Sequence, residues 1–475
     1  MRGPTFAVAT ALLGASFFKS RFAEAHTPTD AQLDDVKDNL WLAAQQTWEL
    51  GTEAEALVES DAPACAVFAD TPLPPPIGNN SSSYNYTALR PVLQIAYNAA
   101  YNRSNATGPQ PIMYVEGGAA GDPASIGIAM LIANWTGAPE PELDRPELAD
   151  SPFGTSVGQG VSYARAAEEQ LEYLLTVVPR TSDGAISHRI ETTQLWADAV
   201  YMIPPFLAYY GSLVEEAYNQ VKLYRAYLSN TTTPLWQHIL LGTGAYDPGY
   251  WSTGNAWAAA GMVRVLATIQ HSQFADTMVS EMKDLSTWIV EIHKGIALSW
   301  QDSSTALFHN YANNKTWFLD GSSTSLLAST VYRLAALQGV NTYIPNAEAA
   351  RDALSAPRAP PPATPRGAPA TAATSAAPSN TATASYAVPT PTGGGAGLSH
   401  FSPEMWLTPV VDPYNWNTQG GSSPEGQAFV VEMYAAWRDW VALGSPGASA
   451  SLSARRNGPL VAAAVSPWVS WMGLW

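Results

Sequence analysis

The stretch TTQLWADAVYMIPPFLAYYG, Thr192–Gly211, decides how the rest of the sequence is interpreted. It contains one charged side chain, Asp198, among apolar neighbours. An ionised carboxylate is costly in an apolar interior unless it is paired, hydrogen-bonded or protonated. The length of the stretch would suit a bilayer, but Gln194, Asp198 and the Pro204–Pro205 pair favour a buried helix of a soluble barrel. We expect the prolines to kink or end that helix near its middle, and Asp198 to face the barrel axis.

Helical periodicity continues on both sides of this stretch, from about residue 33 to residue 339. Apolar side chains recur at spacings of three and four residues, and breaks rich in Gly, Pro or Asn separate the periodic segments. A further helix begins at Ser423, which can cap it, and runs to about Val441. The predicted helices before it are Leu33–Val58, Leu89–Tyr101, Ala124–Trp135, Val161–Val178, Thr192–Tyr210, Leu213–Leu228, Asn255–His271, Phe274–Lys294 and Ser322–Leu337.

The polarity of these helices predicts how they are layered. Thr192–Gly211 and Asn255–Leu266 are apolar on every side, as buried helices are, whereas Leu213–Leu228 carries charged side chains and looks like an outer helix. Helices that alternate in this way predict an all-α fold, a toroid of α/α hairpins. A four-helix bundle would fit the alternation less well.

The composition of the 475 residues disfavours some classes of function. The apolar fraction of 46% can fill a large core, and the 17 tryptophans either line a sugar-binding cleft or fill a helical core. The net charge of −17 disfavours nucleic-acid binding, because no basic surface is available. The single cysteine, Cys65, cannot form an intrachain disulfide and is expected to be a small buried residue.

Residues 1–25 have the features of a signal peptide. Arg2 is followed by the apolar run Phe6–Phe18 and by the cleavage pattern Ala23-Glu24-Ala25, which would leave His26 as the first mature residue. We therefore expect a secreted glycoprotein. Its acceptor sites for N-glycans would be Asn79, Asn80, Asn85, Asn102, Asn105, Asn134, Asn230 and Asn314.

Two further segments are expected to lie outside the folded core. Residues 356–397 are dominated by Pro, Ala, Thr, Ser and Gly, so we expect a disordered insertion within one barrel domain formed by residues 26–355 and 398–443. Residues 444–475 combine small residues, a polar spacer and an apolar end, which resembles a signal for a glycosylphosphatidylinositol (GPI) lipid anchor. The alternative is a C-terminus that packs on the surface.

Polar and aromatic side chains gather where loops lead into the predicted helices. His188 follows an Asp183–Gly184 turn on the loop before Asp198, which is a reasonable pairing for an active site. The alternative is structural: Asp198 braces a neighbouring helix and His188 faces solvent. In a toroid the helix starts share one rim, where a sugar would bind. The same pattern recurs at Trp251, Asn255 and Trp257, with Asn255 also a plausible N-cap, and at Trp300.

Four motifs follow one another along the chain: Asp183-Gly184 with His188, Gln194-Leu195-Trp196-Ala197-Asp198, Gly254-Asn255-Ala256-Trp257, and Ser423-Pro424-Glu425-Gly426-Gln427-Ala428-Phe429. Together they resemble the unsaturated glycuronyl hydrolases of glycoside hydrolase family 105 and its relative, family 88. The resemblance covers roughly residues 33 to 441 outside the insertion. It implies a six-hairpin (α/α)6 barrel that uses no metal or organic cofactor.

The resemblance also implies roles for individual residues. Asp198 matches the aspartate that acts as general acid and base, and Asp122 matches the second aspartate of the family. His188 matches the loop histidine near the sugar, and Asn255 and Trp257 match an element that contacts the substrate. The remaining candidates for substrate binding are Gln194, Trp251 and Trp300.

The resemblance finally implies an activity. Members of these families remove a 4,5-unsaturated uronic acid from the non-reducing end of oligosaccharides left by a polysaccharide lyase, through hydration of an enol ether. The family usually has arginine at the position of Thr253, which leaves open how the acid group would be recognised. Two alternatives remain: an inverting hydrolase of saturated sugars with Asp198 and Asp122 as acid and base, and a non-catalytic glycan-binding or cell-wall protein. No protein partner is inferred.

Overall fold

The computed structural model describes residues 26–70, 86–104, 106–115, 118–139, 160–211, 213–230, 232–297, 301–358 and 397–448. Its α-helices are α1 (Asp30–Ala43), α2 (Thr47–Asp61), α3 (Tyr86–Asn102), α4 (Asp122–Ser125), α5 (Gly127–Thr136), α6 (Tyr163–Thr176), α7 (Ala199–Tyr209), α8 (Val214–Leu228), α9 (Ser252–Gln270), α10 (Val279–Ala297), α11 (Gly321–Gln338), α12 (Ile344–Ser355) and α13 (Pro424–Ala442). A short 3-10 helix spans Pro63–Cys65. The strands are β1 (Leu195–Trp196), β2 (Ile239–Leu240), β3 (Phe308–His309), β4 (Leu319–Asp320), β5 (Val410–Asp412) and β6 (Asn415–Gly420).

The helices of the described ranges form six hairpins, each with an outer helix followed by an inner one. The inner helices α2, α4 with α5, α7, α9, α11 and α13 pack against one another in chain order, and α13 closes the ring against α2. The outer helices α1, α3, α6, α8, α10 and α12 pack around this ring. The predicted all-α (α/α)6 barrel is therefore confirmed.

Side-chain polarity explains which helices are inside. Every residue of the inner helix α9 from Ser252 to Ile269 is buried. The outer helix α8 buries only the stripe that faces the ring, and its Glu215 and Lys222 are exposed. This contrast between the two kinds of helix is the pattern that predicts the two layers.

The stretch around Asp198 is helical over a shorter range than the sequence predicts. Residues Leu195 and Trp196 form β1, which pairs with β2 so that Leu195 lies opposite Leu240. α7 therefore begins only at Ala199, and Asp198 occupies its N-cap position instead of its interior. The carboxylate is thus placed at the start of an inner helix.

Of the two expected effects of Pro204 and Pro205, a kink or the end of the helix, the second does not occur, because α7 continues to Tyr209. Proline has no N–H, so Pro204 leaves the carbonyl of Val200 without its usual helical donor. That carbonyl lies against α9 at Gly261, where an added Cβ would be 2.0 Å from the Val200 oxygen. The close packing of α7 against α9 depends on a glycine at this position.

Other helices differ from the prediction as well. The predicted segment Leu33–Val58 is divided into α1 and α2, because Gln46 starts a new helix and donates its backbone N–H to Glu49 Oε2 over 2.9 Å. The sequence does not predict α12. The buried side of this helix includes the ion pair of Glu348 with Arg351, at 3.1 Å, which interrupts the apolar periodicity.

The short strands of the described ranges lie on loops that lead from outer to inner helices. β1 and β2 precede α7 and α9, β3 and β4 precede α11, and β5 and β6 precede α13; each pair is antiparallel. They therefore collect at the end of the barrel where the inner helices begin. At this end the sequence predicts a rim of polar and aromatic side chains.

A buried cluster of charges joins four of the inner helices. Arg264 Nη2 of α9 lies 2.6 Å from Glu59 of α2 and 3.1 Å from Glu432 of α13. Its Nε lies 3.3 Å from Glu55, also on α2. Tyr201 of α7 donates its hydroxyl to Glu432 over 2.8 Å. Buried charges are tolerated only when they are paired, so these contacts fix how the four helices pack.

The two ends of the predicted insertion meet. The backbone N–H of Arg358 donates to the carbonyl of Gly397 over 2.6 Å, and Pro357 pairs with Leu398. The predicted signal peptide, most of the predicted insertion and the chain from residue 449 onward lie outside the described residues. No helix in the described part of the chain is long and apolar enough to cross a membrane.

Arg264→Met removes the shared cation of the buried cluster and leaves Glu55 and Glu432 without it. We expect the free energy of unfolding to fall by about 3–5 kcal/mol, as for other broken buried ion pairs. Urea denaturation followed by circular dichroism measures this loss. Arg90→Met, at an exposed position of α3, is the matched control and should change stability by less than about 0.5 kcal/mol. Equal effects of the two substitutions would show that the cluster does not hold the inner ring together.

Candidate active site

A cavity of about 320 Å³ opens at the end of the barrel where the inner helices begin. Five side chains of its wall come from the starts of five inner helices: Trp48 of α2, Asp122 of α4, Asp198 before α7, Trp251 before α9 and Glu425 of α13. The N-terminal end of a helix carries a partial positive charge. The fold therefore places carboxyl groups where the helix dipoles favour negative charge.

Asp198 lies at the cavity with its side chain 15% exposed. Although it occupies the N-cap position of α7, its side chain makes no capping hydrogen bond. Its Oδ2 instead lies 3.4 Å from Nε2 of His238 and has no hydrogen-bond partner in the protein. The carboxylate is therefore available to a ligand, with a histidine beside it.

His238 connects Asp198 to a second carboxylate. Its Nδ1 lies 3.0 Å from Asp247 Oδ2, and Asp247 also accepts hydrogen bonds from Tyr311 Oη at 2.5 Å and from the backbone N–H of Gly249 at 2.9 Å. Burial lowers the pKa of His238, but the carboxylates of Asp198 and Asp247 together outweigh it and raise the pKa above its ordinary value. A charged imidazole with a carboxylate at each nitrogen is the state that this arrangement favours.

The second aspartate of the cavity has a different environment. Burial raises the pKa of Asp122 to about 7; the Arg189 guanidinium opposes this rise and the Asp198 carboxylate adds to it. Asp122 Oδ1 lies 3.7 Å from Nε2 of His188. Burial, and then the charges of Arg189 and His238, hold the pKa of His188 well below its usual range. His188 is therefore neutral, and Asp122 carries a proton below neutral pH.

Aromatic rings form much of the remaining wall. Trp196 stacks on His188 with 4.7 Å between ring centres, and its Nε1 donates to Gln194 Oε1 over 2.7 Å. Trp416, from β6, meets Trp196 edge to face at 5.6 Å, and Trp251 lies 4.5 Å from the His238 ring. Flat rings with a polar edge suit the alternating apolar and hydroxyl-bearing surfaces of a sugar.

Several polar atoms of the cavity wall have no partner within the protein. Buried polar groups are nearly always hydrogen-bonded in folded proteins, so such atoms indicate a polar ligand or water. A sugar presents several hydroxyl groups and an ether oxygen to such a surface. His188 Nδ1, Trp416 Nε1 and Glu425 Oε1 are atoms of this kind, and Asp198 Oδ2 and His238 Nε2 face each other at 3.4 Å without a hydrogen bond of good geometry.

The structure brings five of the sequence-predicted site residues together. Asp122, His188, Asp198, Trp251 and Trp257 all line the cavity. Trp257 is almost fully buried and packs edge-on against Tyr201 at 4.4 Å and Phe429 at 4.6 Å, so only a small part of it faces the opening.

The structure does not place two other predicted residues in the cavity wall. Asn255 is fully buried in the first turn of α9, where its amide bonds to the backbone of Trp236 and Trp251. Gln194 donates to the backbone of Leu241 and Ala245 and fixes the Trp196 indole, so it positions the wall without forming it. Trp300 lies outside the described residues.

The cavity wall also contains residues that the sequence does not predict. His238 and Trp416 sit on loops before inner helices, which is where the sequence predicts that polar and aromatic residues gather. Arg189 follows His188 directly and places its guanidinium carbon 4.8 Å from the centre of the Trp196 ring. Among the described residues, no group of three His, Cys, Asp or Glu side chains could hold a metal ion.

The position at which the family usually has arginine is part of the barrel interior here. Thr253 is fully buried and donates its hydroxyl to Asp320 Oδ2 over 2.9 Å. Arg264, the nearest later arginine, is held in the buried cluster and does not line the cavity. Among the described residues, the arginine that lines the cavity is Arg189.

Comparison with known proteins agrees with the motifs. A family model described as Glycosyl Hydrolase Family 88 matches residues 158–359. The chain is 24% identical over 185 residues to unsaturated rhamnogalacturonyl hydrolase YesR of Bacillus subtilis. This alignment covers 36% of this chain and 51% of the relative. The chain therefore spans about half the length of the curated relative that it matches.

Solved structures share the fold. A possible member of glycoside hydrolase family 105 from Salmonella enterica superposes with a TM-score of 0.55 at 15% identity, covering 93% of this chain and 97% of that one. A family 88 glycosyl hydrolase from Bacteroides vulgatus superposes with a TM-score of 0.51 at 14% identity, covering 87% and 99%. At these identities the similarity shows the barrel alone. The family 88 model matches across Asp198, so the part of the chain that contains this residue is similar to glycoside hydrolase family 88.

Proposed function

We propose that the chain is a glycoside hydrolase that releases a 4,5-unsaturated uronic acid from the non-reducing end of oligosaccharides. The observation that carries this proposal is the placement of Asp198: it lines a sugar-sized cavity, makes no capping hydrogen bond to its own helix, and has its Oδ2 3.4 Å from His238. The name of the curated relative, an unsaturated rhamnogalacturonyl hydrolase, supports the same class of substrate.

Asp198 would act as general acid and then as general base. In its acid form it gives a proton to C4 of the enol ether, and water adds to C5 while losing its own proton to the Asp198 carboxylate. The resulting hemiketal opens, and the hemiacetal left at C1 releases the second sugar, so that one water is consumed in total. One carboxyl group suffices for this sequence, unlike the paired carboxylates of ordinary glycosidases.

His238 would support both proton transfers. Its positive charge, 3.4 Å from Asp198 Oδ2, stabilises the carboxylate that remains after the proton has been given to C4. Asp247 holds the other nitrogen and, with Tyr311, fixes the orientation of the ring. His238 and Asp247 are therefore positioning residues for Asp198.

Arg189 is the group we assign to the acid function of the sugar. It lines the cavity beside Trp196, and its charge already acts on Asp122. A guanidinium can hold a carboxylate through two parallel hydrogen bonds. This assignment accounts for a uronate substrate even though Thr253 replaces the arginine that is usual in the family.

An assay with matched disaccharides tests the proposed function. An unsaturated uronyl disaccharide should be cleaved, with loss of the ultraviolet absorbance of its conjugated double bond, and the saturated counterpart should not. Cleavage of the saturated sugar would instead support an inverting hydrolase with Asp198 and Asp122 as its two carboxyl groups. If neither disaccharide is cleaved, the remaining alternative is a non-catalytic glycan-binding protein.

Asp198→Asn keeps the shape of the side chain and removes proton transfer. We expect kcat on the unsaturated disaccharide to fall by at least about 10²-fold, with the fold retained. Asp276→Asn, at an exposed position before α10, is the matched control and should leave kcat unchanged. An Asn variant that unfolds, while its remaining folded fraction is fully active, would identify Asp198 as a structural brace.

The pKa of Asp122, about 7, predicts a pH dependence. As pH rises through this value Asp122 loses its proton and adds a negative charge next to Asp198, against an anionic substrate. We therefore expect kcat/KM to fall as pH rises through about 7, and the midpoint of the fall to move to higher pH in Asp122→Asn. A pH profile of the two proteins measures this; an unchanged midpoint in the variant would exclude Asp122 as its source.

Secretion is a further part of the proposal. The Ala23-Glu24-Ala25 pattern and the sequons support it, and the sequon residue Asn134 is exposed at the end of α5. We expect secreted material to begin at His26 and to lose mass on enzymatic deglycosylation, with Asn134→Gln removing one glycan. Intact-mass spectrometry measures both, and an intact Met1 terminus would contradict the prediction. Release from cells by a phosphatidylinositol-specific phospholipase would show that residues 444–475 direct a GPI anchor.

A further inference from the structure

Glu425 is a carboxyl group of the cavity that the proposed reaction does not use. It lies in the first turn of α13, is only 3% exposed and forms part of the cavity wall. Trp48 of α2 donates a hydrogen bond to this carboxyl group, whereas its Oε1 has no partner in the protein. A buried oxygen of this kind is costly unless a ligand satisfies it.

The surroundings of Glu425 favour its neutral form. Burial raises its pKa well above the ordinary value, and the carboxylates of Glu49, Asp198 and Asp320, on three different elements, raise it further. Glu49 is occupied elsewhere, because its Oε2 accepts the backbone N–H groups of Gln45 and Gln46. The phenol of Tyr414, in the turn between β5 and β6, also faces Glu425 and carries no charge. A carboxylic acid kept neutral in this way can donate a hydrogen bond.

We propose that Glu425 is a specificity-determining residue that donates a hydrogen bond from its neutral carboxyl group to the carboxylate of the bound uronic acid. The inference rests on the proposed function and deepens it. A carboxylate is a stronger acceptor than a hydroxyl or an ester, so the contact would favour the charged sugar over an uncharged one. In a cavity that already contains Asp122 and Asp198, a neutral donor binds the acid group without adding a repelling charge. Glu425 would therefore act together with Arg189.

The test compares an unsaturated uronyl disaccharide with its methyl ester, which lacks the negative charge. Glu425→Ala should raise KM for the acid about tenfold or more, with a smaller rise for the ester, because a hydrogen bond to a charged group is lost. Glu425→Gln keeps a donor of nearly the same shape, so at acidic pH its preference for the acid over the ester should remain within about threefold of the wild type.

The pH dependence of this preference separates a neutral donor from a merely structural residue. Because the pKa of Glu425 is raised, its donor is present at low pH and is lost as pH rises through that pKa. The wild type should therefore lose its preference for the acid as pH rises through this pKa, whereas Glu425→Gln, which does not titrate, should keep it. Glu404→Gln, which removes an exposed carboxylate from the loop before β5, is the control and should behave as the wild type.

Two negative results have different meanings. If the wild type does not cleave any unsaturated uronide, the proposed function fails, and this inference fails with it. If the wild type cleaves the disaccharide but Glu425→Ala loses acid and ester equally, the proposed function stands. The role of Glu425 as a hydrogen-bond donor to the substrate carboxylate is then overturned, as it also is when Glu425→Gln loses its preference with rising pH in the same way as the wild type.

Discussion

Arg264 and the carboxylates of Glu59 and Glu432 are buried where inner helices face one another, so none of these charges can turn toward water. Their mutual pairing offsets the cost of desolvation only while α2, α9 and α13 keep their positions. The cavity depends on the same contacts, because Trp257 in its wall packs edge-on against Tyr201, whose hydroxyl donates to Glu432. The arrangement that closes the barrel therefore also supports the floor of the candidate site.

Acidic side chains also lie close together in the cavity, and here protonation reduces the repulsion between them. Carboxyl groups from different elements share one small space, and burial raises the pKa of Glu425 well above its usual range and that of Asp122 to about 7, which favours the neutral forms of both. Asp198 faces His238, whose charge is maintained by Asp247 on its other side. The inner helices begin at the cavity, so the N-terminal ends of their dipoles add partial positive charge. Under the proposed function, an acidic sugar would enter an acidic protein at this point because local partners and protonation offset much of the negative charge around it.

The sequence predicts the layers of this fold better than the details of its site. Apolar periodicity is repeated over many helical turns, so residue types alone are enough to predict the alternation of inner and outer helices. They do not predict the position of Asp198, because the strands β1 and β2 have two residues each and leave no periodic signal, yet they set where α7 begins. Their pairing also brings His238 beside Asp198, since the backbone N–H of Ala197 donates to the His238 carbonyl. Contacts between residues far apart along the chain are decided by loop geometry, which residue types alone do not encode.

Thr253 shows why a family motif has to be interpreted inside its own structure. Its hydroxyl donates to Asp320, which also caps α11 by accepting the N–H of Ser323 and holds β5 through the N–H of Val411. A residue at this position is therefore part of the fold here, and an arginine would have to displace a buried network of hydrogen bonds. Under the proposed function, recognition of the acid group passes to Arg189, from a loop, and to Glu425, from the last inner helix. Arg189 and Glu425 belong to different hairpins, so a uronate could contact both groups only while the closed ring of hairpins holds them at the same cavity.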